Sequence, residues 1–299
     1  MTKAQAWCQF TKERFEPWSH LTMILVFLFA HILVVNPVKT IFATSMNDIV
    51  LLIGIIAFYF KLRLYDEVKD YELDVVINKT RPLPRGLLTH KDMYRGMLAC
   101  IIIELICFAT QGTQSLITAI IAILYSLLMY KEFFIPEKIR PYLTTYALCH
   151  TIVTTILSFA IFSFLTQASL WEILKEPTLV SFAFANWLLF NIFEFGRKTF
   201  ASTEERDGVD TYSSLFGRPG AVMLVVSQAV IAHFMVLSLK GVNGAFLMWG
   251  SGALLLILGL LSLTYIMTNR PSAAKAYRMF SSVYIIAFYL ILILAHIIP

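Results

Sequence analysis

Charged residues are scarce in this sequence. Only 14% of its 299 residues are Asp, Glu, Lys or Arg, whereas 58% are hydrophobic and the mean hydropathy is +0.73. Soluble globular domains carry about 25% charged residues, so the composition excludes an ordinary soluble enzyme. The basic residues are not interleaved with aromatic residues as a nucleic-acid-binding surface requires, and we expect no nucleic-acid partner.

Cysteines are also few and carry no motif. The four are Cys8, Cys100, Cys107 and Cys149, and none has CxxC or CxxH spacing. Three lie inside apolar runs, which is typical of small buried hydrophobic side chains and argues against a zinc site or a disulfide framework. Residues 1–18 are polar and lack a small-residue cleavage site, so we expect no cleavable signal peptide.

Apolar runs long enough to cross a bilayer recur along the whole chain. They predict an all-α, polytopic membrane protein with nine transmembrane helices, and the loops between them leave no room for a soluble domain. We therefore expect a single transmembrane domain over residues 1–299. The predicted spans are residues 20–37, 47–64, 94–111, 113–130, 142–166, 178–196, 219–239, 244–268 and 279–298.

The basic residues fix the predicted orientation. Of the 24 Lys and Arg, 21 fall in the N-terminal segment and in the regions at the ends of spans 2, 4, 6 and 8. Cytoplasmic loops carry the excess of Lys and Arg in membrane proteins. The sequence therefore predicts an integral, multi-pass protein whose N-terminus and long polar loops are cytoplasmic.

Three aspartates follow the second apolar run. Asp66, Asp70 and Asp74 stand at i, i+4 and i+8, a spacing that drifts only about 40° per step, so all three share one helix face. Like charges so placed repel by a few tenths of a kcal/mol per pair, and clustered oxygens suit a hard cation such as Mg²⁺. A solvated acidic helix end is the alternative interpretation, but carboxylates beside a bilayer are costly and usually functional.

A basic loop comes directly after the aspartates. Residues 78–86 read NKTRPLPRG, and the two prolines and the glycine stop the helix. The basic side chains of this segment, including Arg81 and Arg85, are therefore expected on an irregular loop just beyond the carboxylates. Carboxylates beside arginines suit a metal–diphosphate ligand, with the metal on the acids and free phosphate oxygens on the bases. Lys131, at the end of span 4, is a further diphosphate candidate, although interfacial snorkelling explains it equally well.

This stretch resembles the first signature of the UbiA superfamily of intramembrane prenyltransferases. That signature has an Asn-Asp pair, then Asp at +4 and +8 from the Asn, and then an Arg-Pro-Leu-Pro-x-Gly turn. Here Asp66 and Glu67 stand in place of the pair, Asp70 and Asp74 match, and residues 81–86 match the turn. The resemblance also implies nine spans with long cytoplasmic loops.

The second signature of that superfamily is altered. It has an aspartate pair at the end of span 6 and then a Gly-Val-x-Thr segment. Residues 208–217, GVDTYSSLFG, resemble the segment, but Glu194 is the only acid at the end of span 6. Glu204 and Glu205, in a longer insert, are the alternatives if the insert folds back. Arg197 and Lys198 could bind diphosphate, or could simply pair with Glu194 at i+3 and i+4.

The resemblance implies Mg²⁺-dependent ionisation of an isoprenyl diphosphate, followed by prenyl transfer to a hydrophobic acceptor within the lipid bilayer. A terpene cyclase of the same superfamily, which needs no acceptor, is the alternative. A lipid or ion transporter would more naturally place its charges at mid-membrane. The expected catalytic and metal-binding residues are Asp66, Asp70, Asp74 and Glu194, and the expected diphosphate-binding residues are Arg81, Arg85, Lys131, Arg197 and Lys198.

Overall fold

The structure is a computed structural model that describes residues 1–37, 44–206 and 208–298. Over these ranges the regular structure is helical and no β-strand occurs, which confirms the all-α prediction. A π-helical turn (Thr11–Phe15) and a 3₁₀ turn (Glu132–Phe134) supplement the α-helices. In chain order the α-helices are α1 (Lys3–Phe10), α2 (Pro17–Val35), α3 (Met46–Lys69), α4 (Tyr71–Ile77), α5 (His90–Ala109), α6 (Thr113–Tyr130), α7 (Pro136–Ile139), α8 (Leu143–Thr151), α9 (Val153–Thr166), α10 (Leu170–Ile173), α11 (Pro177–Arg197), α12 (Tyr212–Val236), α13 (Gly244–Thr268) and α14 (Pro271–Ile297).

Seven helical segments in the described ranges are long and apolar enough to cross a membrane. They are Pro17–Val35, Thr113–Tyr130, Leu143–Thr166, Pro177–Arg197, Tyr212–Val236, Gly244–Thr268 and Pro271–Ile297. The chain is thus an integral membrane protein. The other two predicted spans, 47–64 and 94–111, coincide with α3 and α5, which are helical and long but carry more charge. The nine-span arrangement therefore stays a prediction.

A buried ion pair accounts for part of the charge in these two helices. Lys61 of α3 donates a hydrogen bond from Nζ to Oε2 of Glu104 in α5 at 2.6 Å, and the two side chains are 0% and 2% exposed. The Lys61 ammonium also lies 4.4 Å from the centre of the Phe58 ring. The predicted orientation included Lys61 among the 21 cytoplasmic Lys and Arg residues, whereas its side chain is buried in the fold. The charge asymmetry survives its removal from that count.

The remaining helices form a bundle around α11. This helix packs against α9, α12 and α14, while α13 lies against α14 and α6 lies against α9. Four fully buried polar side chains tie α2, α9, α11 and α14 together. Ser158 Oγ lies 2.9 Å from His31 Nε2 and 3.0 Å from Asn186 Nδ2, and Tyr289 donates to Asn186 Oδ1 at 2.8 Å. Buried polar groups must find such partners in an apolar environment.

The N-terminal segment is fastened to the end of α3 and the loop beyond it. Arg14 pairs with Glu67, whose side chain is buried. Arg85 donates to Glu13 Oε1 at 2.8 Å. Glu67, which stands beside the first aspartate of the stripe, therefore turns toward the N-terminal segment and serves as an anchor for it.

Candidate active site

The aspartate stripe continues across a helix junction. Asp70 lies between α3 and α4, with φ −86° and ψ 0°. The backbone hydrogen bonds nevertheless keep helical spacing, because Asp70 N donates to Asp66 O at 2.9 Å and Asp74 N donates to Asp70 O at 2.8 Å. The i+4 relations between the three aspartates are preserved, as the sequence predicts.

The three carboxylates have different surroundings. The side chains of Asp66 and Asp70 are each 51% exposed, whereas that of Asp74 is 2% exposed. Asp74 pairs with Arg81 and accepts a hydrogen bond from Asn78 Nδ2 at 2.8 Å. The charge of Asp74 is therefore already compensated by the protein. Asp66 lies 3.5 Å from Arg63 Nη1, measured at Oδ2, but its side chain stays exposed. Asp66 and Asp70 are therefore the two carboxylates of the stripe that a ligand can reach.

Asp70 is held in a crowded anionic position. Partial burial and the neighbouring charges of Asp66 and Asp74 raise the pKa of Asp70 above its usual value, and the nearby Lys69 and Arg81 only partly counter this. Its closest cationic contact is Arg81, with 4.0 Å between Arg81 Nη1 and Asp70 Oδ2. A cation bound between the open carboxylates would relieve this repulsion.

Two of the predicted diphosphate ligands do not reach the stripe. Arg85 donates to the backbone oxygen of Thr80 at 2.7 Å and to Glu13, so it fixes the loop to the N-terminal segment. Lys131 is exposed, with its Nζ 5.0 Å from the centre of the Tyr130 ring. Of the basic residues in the 78–86 loop, Arg81 is the one that contacts the aspartates in the part of the chain described.

Glu194, at the end of α11, has cations on both carboxylate oxygens. Arg197 Nη2 lies 2.6 Å from Oε2 and Lys198 Nζ lies 3.3 Å from Oε1. The charges of Glu194 and Arg197 also act on Asp66, so the end of α11 faces the end of α3. The structure thus brings Glu194, Arg197 and Lys198 to the same region as the first motif, with the acid already paired.

The two glutamates of the insert after α11, Glu204 and Glu205, have hydrogen-bond partners away from the aspartate stripe. Glu204 accepts hydrogen bonds from Arg278 of α14 at 2.7 and 2.9 Å, and Arg278 holds the pKa of that carboxyl below its usual value. Glu205 accepts from Ser213 at 2.6 Å and from Thr211 at 2.8 Å. Both carboxylates therefore fasten the insert to α14 and to the start of α12.

A second polar cluster, not foreseen from the sequence, adjoins Asp66. Lys69 Nζ donates to Tyr146 Oη at 2.7 Å, and lies 3.3 Å from His150 Nε2 and 3.9 Å from Glu132 Oε1. Lys69 and His150 line a small cavity together with Asp66. Lys69 lies off the aspartate stripe but beside it, so a cationic side chain is available next to Asp66.

Glu132 holds this cluster together and sits in a strained turn. Glu132, Phe133 and Phe134 all have positive φ angles, of 48°, 55° and 58°. Such backbone is costly for residues other than glycine and is concentrated at functional sites. The turn buries the Glu132 carboxylate, which receives hydrogen bonds from Arg140 Nε at 2.9 and 3.0 Å and from Tyr146 at 3.2 Å. The feature of the sequence that could have pointed to this cluster is the acidic residue next to Lys131 at the end of span 4.

The open carboxylates fit one mode of magnesium binding. Within the described ranges, no group of three or more His, Cys, Asp and Glu side chains could hold a metal ion by itself. Mg²⁺, however, is usually held by one or two carboxylates, several waters and substrate phosphates. Asp66 and Asp70 provide two exposed carboxylates of that kind, with Arg81 and Lys69 beside them. The donor set suits an ion that arrives with a phosphorylated ligand.

Comparisons with known proteins give one family and two structures of similar fold. A model of the UbiA prenyltransferase family matches residues 24–284. The fold resembles the structure of a digeranylgeranylglyceryl phosphate synthase, with a TM-score of 0.63 and 13% identity over 99% of both chains. It also resembles the apo structure of a UbiA homolog from Aeropyrum pernix K1, with a TM-score of 0.62 and 15% identity over 91% of this chain and 97% of that one. No curated protein sequence matches the chain.

Proposed function

The chain belongs to the UbiA prenyltransferase family, and we propose that it is a Mg²⁺-dependent intramembrane enzyme that transfers the prenyl group of an isoprenyl diphosphate to a hydrophobic acceptor. The observation that carries this proposal is the pair of exposed carboxylates at the end of α3, Asp66 in its last turn and Asp70 directly after it, with Arg81 beside Asp70. That combination of exposed acids and a neighbouring guanidinium suits a metal-bound diphosphate.

The residues have separate tasks in this proposal. Asp66 and Asp70 would hold the magnesium ion, which when bound would offset negative charge on the leaving diphosphate. Arg81 contacts phosphate oxygens, and buried Asp74 orients it through their ion pair. Lys69 supplies a further cation beside Asp66. As the allylic C–O bond breaks, its electron pair leaves with the diphosphate, and these fixed charges stabilise the transition state.

The end of α11 contributes the other wall of the diphosphate site. The charge of Arg197 acts on Asp66, and Glu194 pairs with both Arg197 and Lys198. We place Arg85 and Lys131 outside direct diphosphate contact, since Arg85 is bound to Glu13 and Lys131 projects from the end of α6. The prenyl chain and the acceptor would enter from the bilayer, and the acceptor loses a proton as its new bond to the allylic carbon forms.

The proposal includes nine spans and a polar pocket on the cytoplasmic side. The length of α3 and α5 supports it, because their 24 and 20 residues would extend roughly 36 and 30 Å along their axes. The Lys61–Glu104 pair neutralises one charge in each helix. The positive-inside asymmetry then puts the ends of α3 and α11 at the cytoplasmic face.

The test uses purified protein with Mg²⁺ and either farnesyl or geranylgeranyl diphosphate, with and without lipid-extracted acceptors, and measures released diphosphate. Asp70→Asn should lower the rate on the order of 100-fold, as expected when one preorganised electrostatic contact is lost. The matched control is Glu72→Gln, which removes an exposed carboxylate from the neighbouring turn of α4 and should change the rate by less than about twofold.

The products decide between transfer and cyclisation. A prenylated acceptor supports the transferase. A cyclic hydrocarbon formed without acceptor identifies the cyclase alternative. The observation that favours this alternative is the pairing of Glu194 with Arg197 and Lys198, because the acid of the second motif is then not free to bind a metal ion as it would in an ordinary transferase of the family. No diphosphate release from either donor, with protein that remains folded, would overturn both.

A further inference from the structure

A groove of about 660 Å³ lies between α1, α3 and α5. Its α3 wall is formed by Ile53, Ile56, Ala57 and Phe60. Successive helix residues are rotated by about 100°, so Asp66, six residues beyond Phe60, points about 120° away from this wall. The groove is therefore separate from the aspartate site, and the proposed function does not use it.

The groove is apolar along its length and charged at one end. Its α5 wall runs from Arg95 to Ile103, eight residue-to-residue steps that extend roughly 12 Å along the helix. Lys3, Asp92 and Arg95 surround one end, and aliphatic side chains line the other. The volume lies within the usual range for small-molecule sites, about 300–1,000 Å³. This shape suits an amphiphile with one polar end.

The charged end favours an anion. Asp92 pairs with Lys3 and accepts hydrogen bonds from Thr89 N at 2.9 Å and Thr89 Oγ1 at 2.7 Å, so its charge is compensated. The Lys3 hydrogen bond holds the pKa of Asp92 well below its usual range. Arg95 is exposed and has no ion pair or hydrogen bond among the described residues. The end of the groove thus offers one uncompensated guanidinium.

The N-terminal helix closes the groove. Trp7 of α1 contributes to its wall and packs over Gly96, where a Cβ atom would come within 2.8 Å of Trp7 Cη2. Trp7 also meets Phe10 and Phe60 with ring centres 5.6 and 6.3 Å apart. An occupant of the groove would therefore contact α1 as well as α3 and α5.

We propose that this groove binds an anionic phospholipid of the surrounding bilayer, with its phosphate on Arg95 and one acyl chain along the apolar walls. The free cation at one end and the apolar walls along the predicted membrane spans select this occupant. An extended peptide would leave backbone groups without partners against these walls. The isoprenyl diphosphate substrate is assigned elsewhere, because the open carboxylates face another side of α3.

The test is native mass spectrometry of the full chain in detergent, titrated separately with phosphatidylglycerol and phosphatidylcholine. Arg95→Gln should weaken phosphatidylglycerol binding about fivefold, the size expected for one basic contact to an anionic lipid. The control Lys91→Gln removes another exposed charge from the same helix end, outside the groove, and should leave binding unchanged. Phosphatidylcholine should bind the unmodified protein more weakly than phosphatidylglycerol.

A second pair of variants tests the acyl-chain site. Ala99→Phe fills the groove and should reduce phosphatidylglycerol binding, whereas Ala109→Phe, at an exposed position of α5 outside it, should not. Equal losses for Arg95→Gln and Lys91→Gln, or no loss for Ala99→Phe, would reduce the effect to general surface charge and overturn the proposal. Displacement of the lipid by farnesyl diphosphate in an Arg95-dependent manner would also overturn it, since the groove would then belong to the substrate.

Discussion

Replacement of Lys61 by methionine is expected to destabilise the protein by about 3–5 kcal/mol, because it leaves the Glu104 carboxylate buried without its partner. The structure favours the upper part of this range. The Glu104 side chain is 2% exposed, and its second oxygen, Oε1, has no hydrogen-bond partner among the described residues. Lys61 is thus the one described side chain that compensates the charge of Glu104.

The reverse change should cost less. Glu104→Gln leaves an amide oxygen that can still accept from Lys61, and the ammonium keeps its contact with the Phe58 ring. The double variant Lys61→Met/Glu104→Leu removes both charges and should return to within about 1 kcal/mol of the unmodified protein, since apolar replacements of buried ion pairs are often neutral or stabilising.

The assay is a double-mutant cycle of Lys61→Met, Glu104→Leu and the double variant, measured on unfolding in mixed detergent micelles by circular dichroism. The expected coupling between the two positions is several kcal/mol. Diphosphate release, measured on the same proteins, should fall with the single variants and recover in the double variant, because α3 also carries Asp66. Loss of less than 1 kcal/mol for Lys61→Met, or additive losses in the double variant, would refute the buried-pair reasoning.

Two further predictions concern topology and the second motif. Single cysteines in place of Lys91 and Ser272 should react with a membrane-impermeant maleimide added on the cytoplasmic side, and a cysteine in place of Gly112 should react with one added on the opposite side. Reaction of the Lys91 and Gly112 positions from the same side would contradict the nine-span scheme. Glu194→Gln should raise the KM for the isoprenyl diphosphate several-fold at an unchanged Mg²⁺ requirement, because it releases Arg197 and Lys198 at the end of α11. A higher Mg²⁺ concentration for half-maximal rate would instead identify Glu194 as a metal ligand. Glu204→Gln is the control variant.

The sequence by itself determined what depends on local order along the chain. Apolar runs longer than a bilayer crossing predict helices wherever they fall, and helices occur at the predicted spans. The shared face of Asp66, Asp70 and Asp74 follows from helix periodicity alone. The basic loop beyond the aspartates is also predicted from local sequence, because its prolines and glycine stop the helix. The family resemblance rests on these same contiguous residues.

The tertiary structure decided which of those groups are open and which are already paired. Asp74 is compensated because the loop folds back and places Arg81 against it, whereas Asp66 and Asp70 stay exposed. Residues 43 positions apart form the Lys61–Glu104 pair. The contacts of Lys69 with Tyr146 and His150 likewise span 77 and 81 positions. No periodicity encodes such partners, because they depend on which helices pack together. The burial that this packing creates determines whether a charge is neutralised by the protein or left for a ligand.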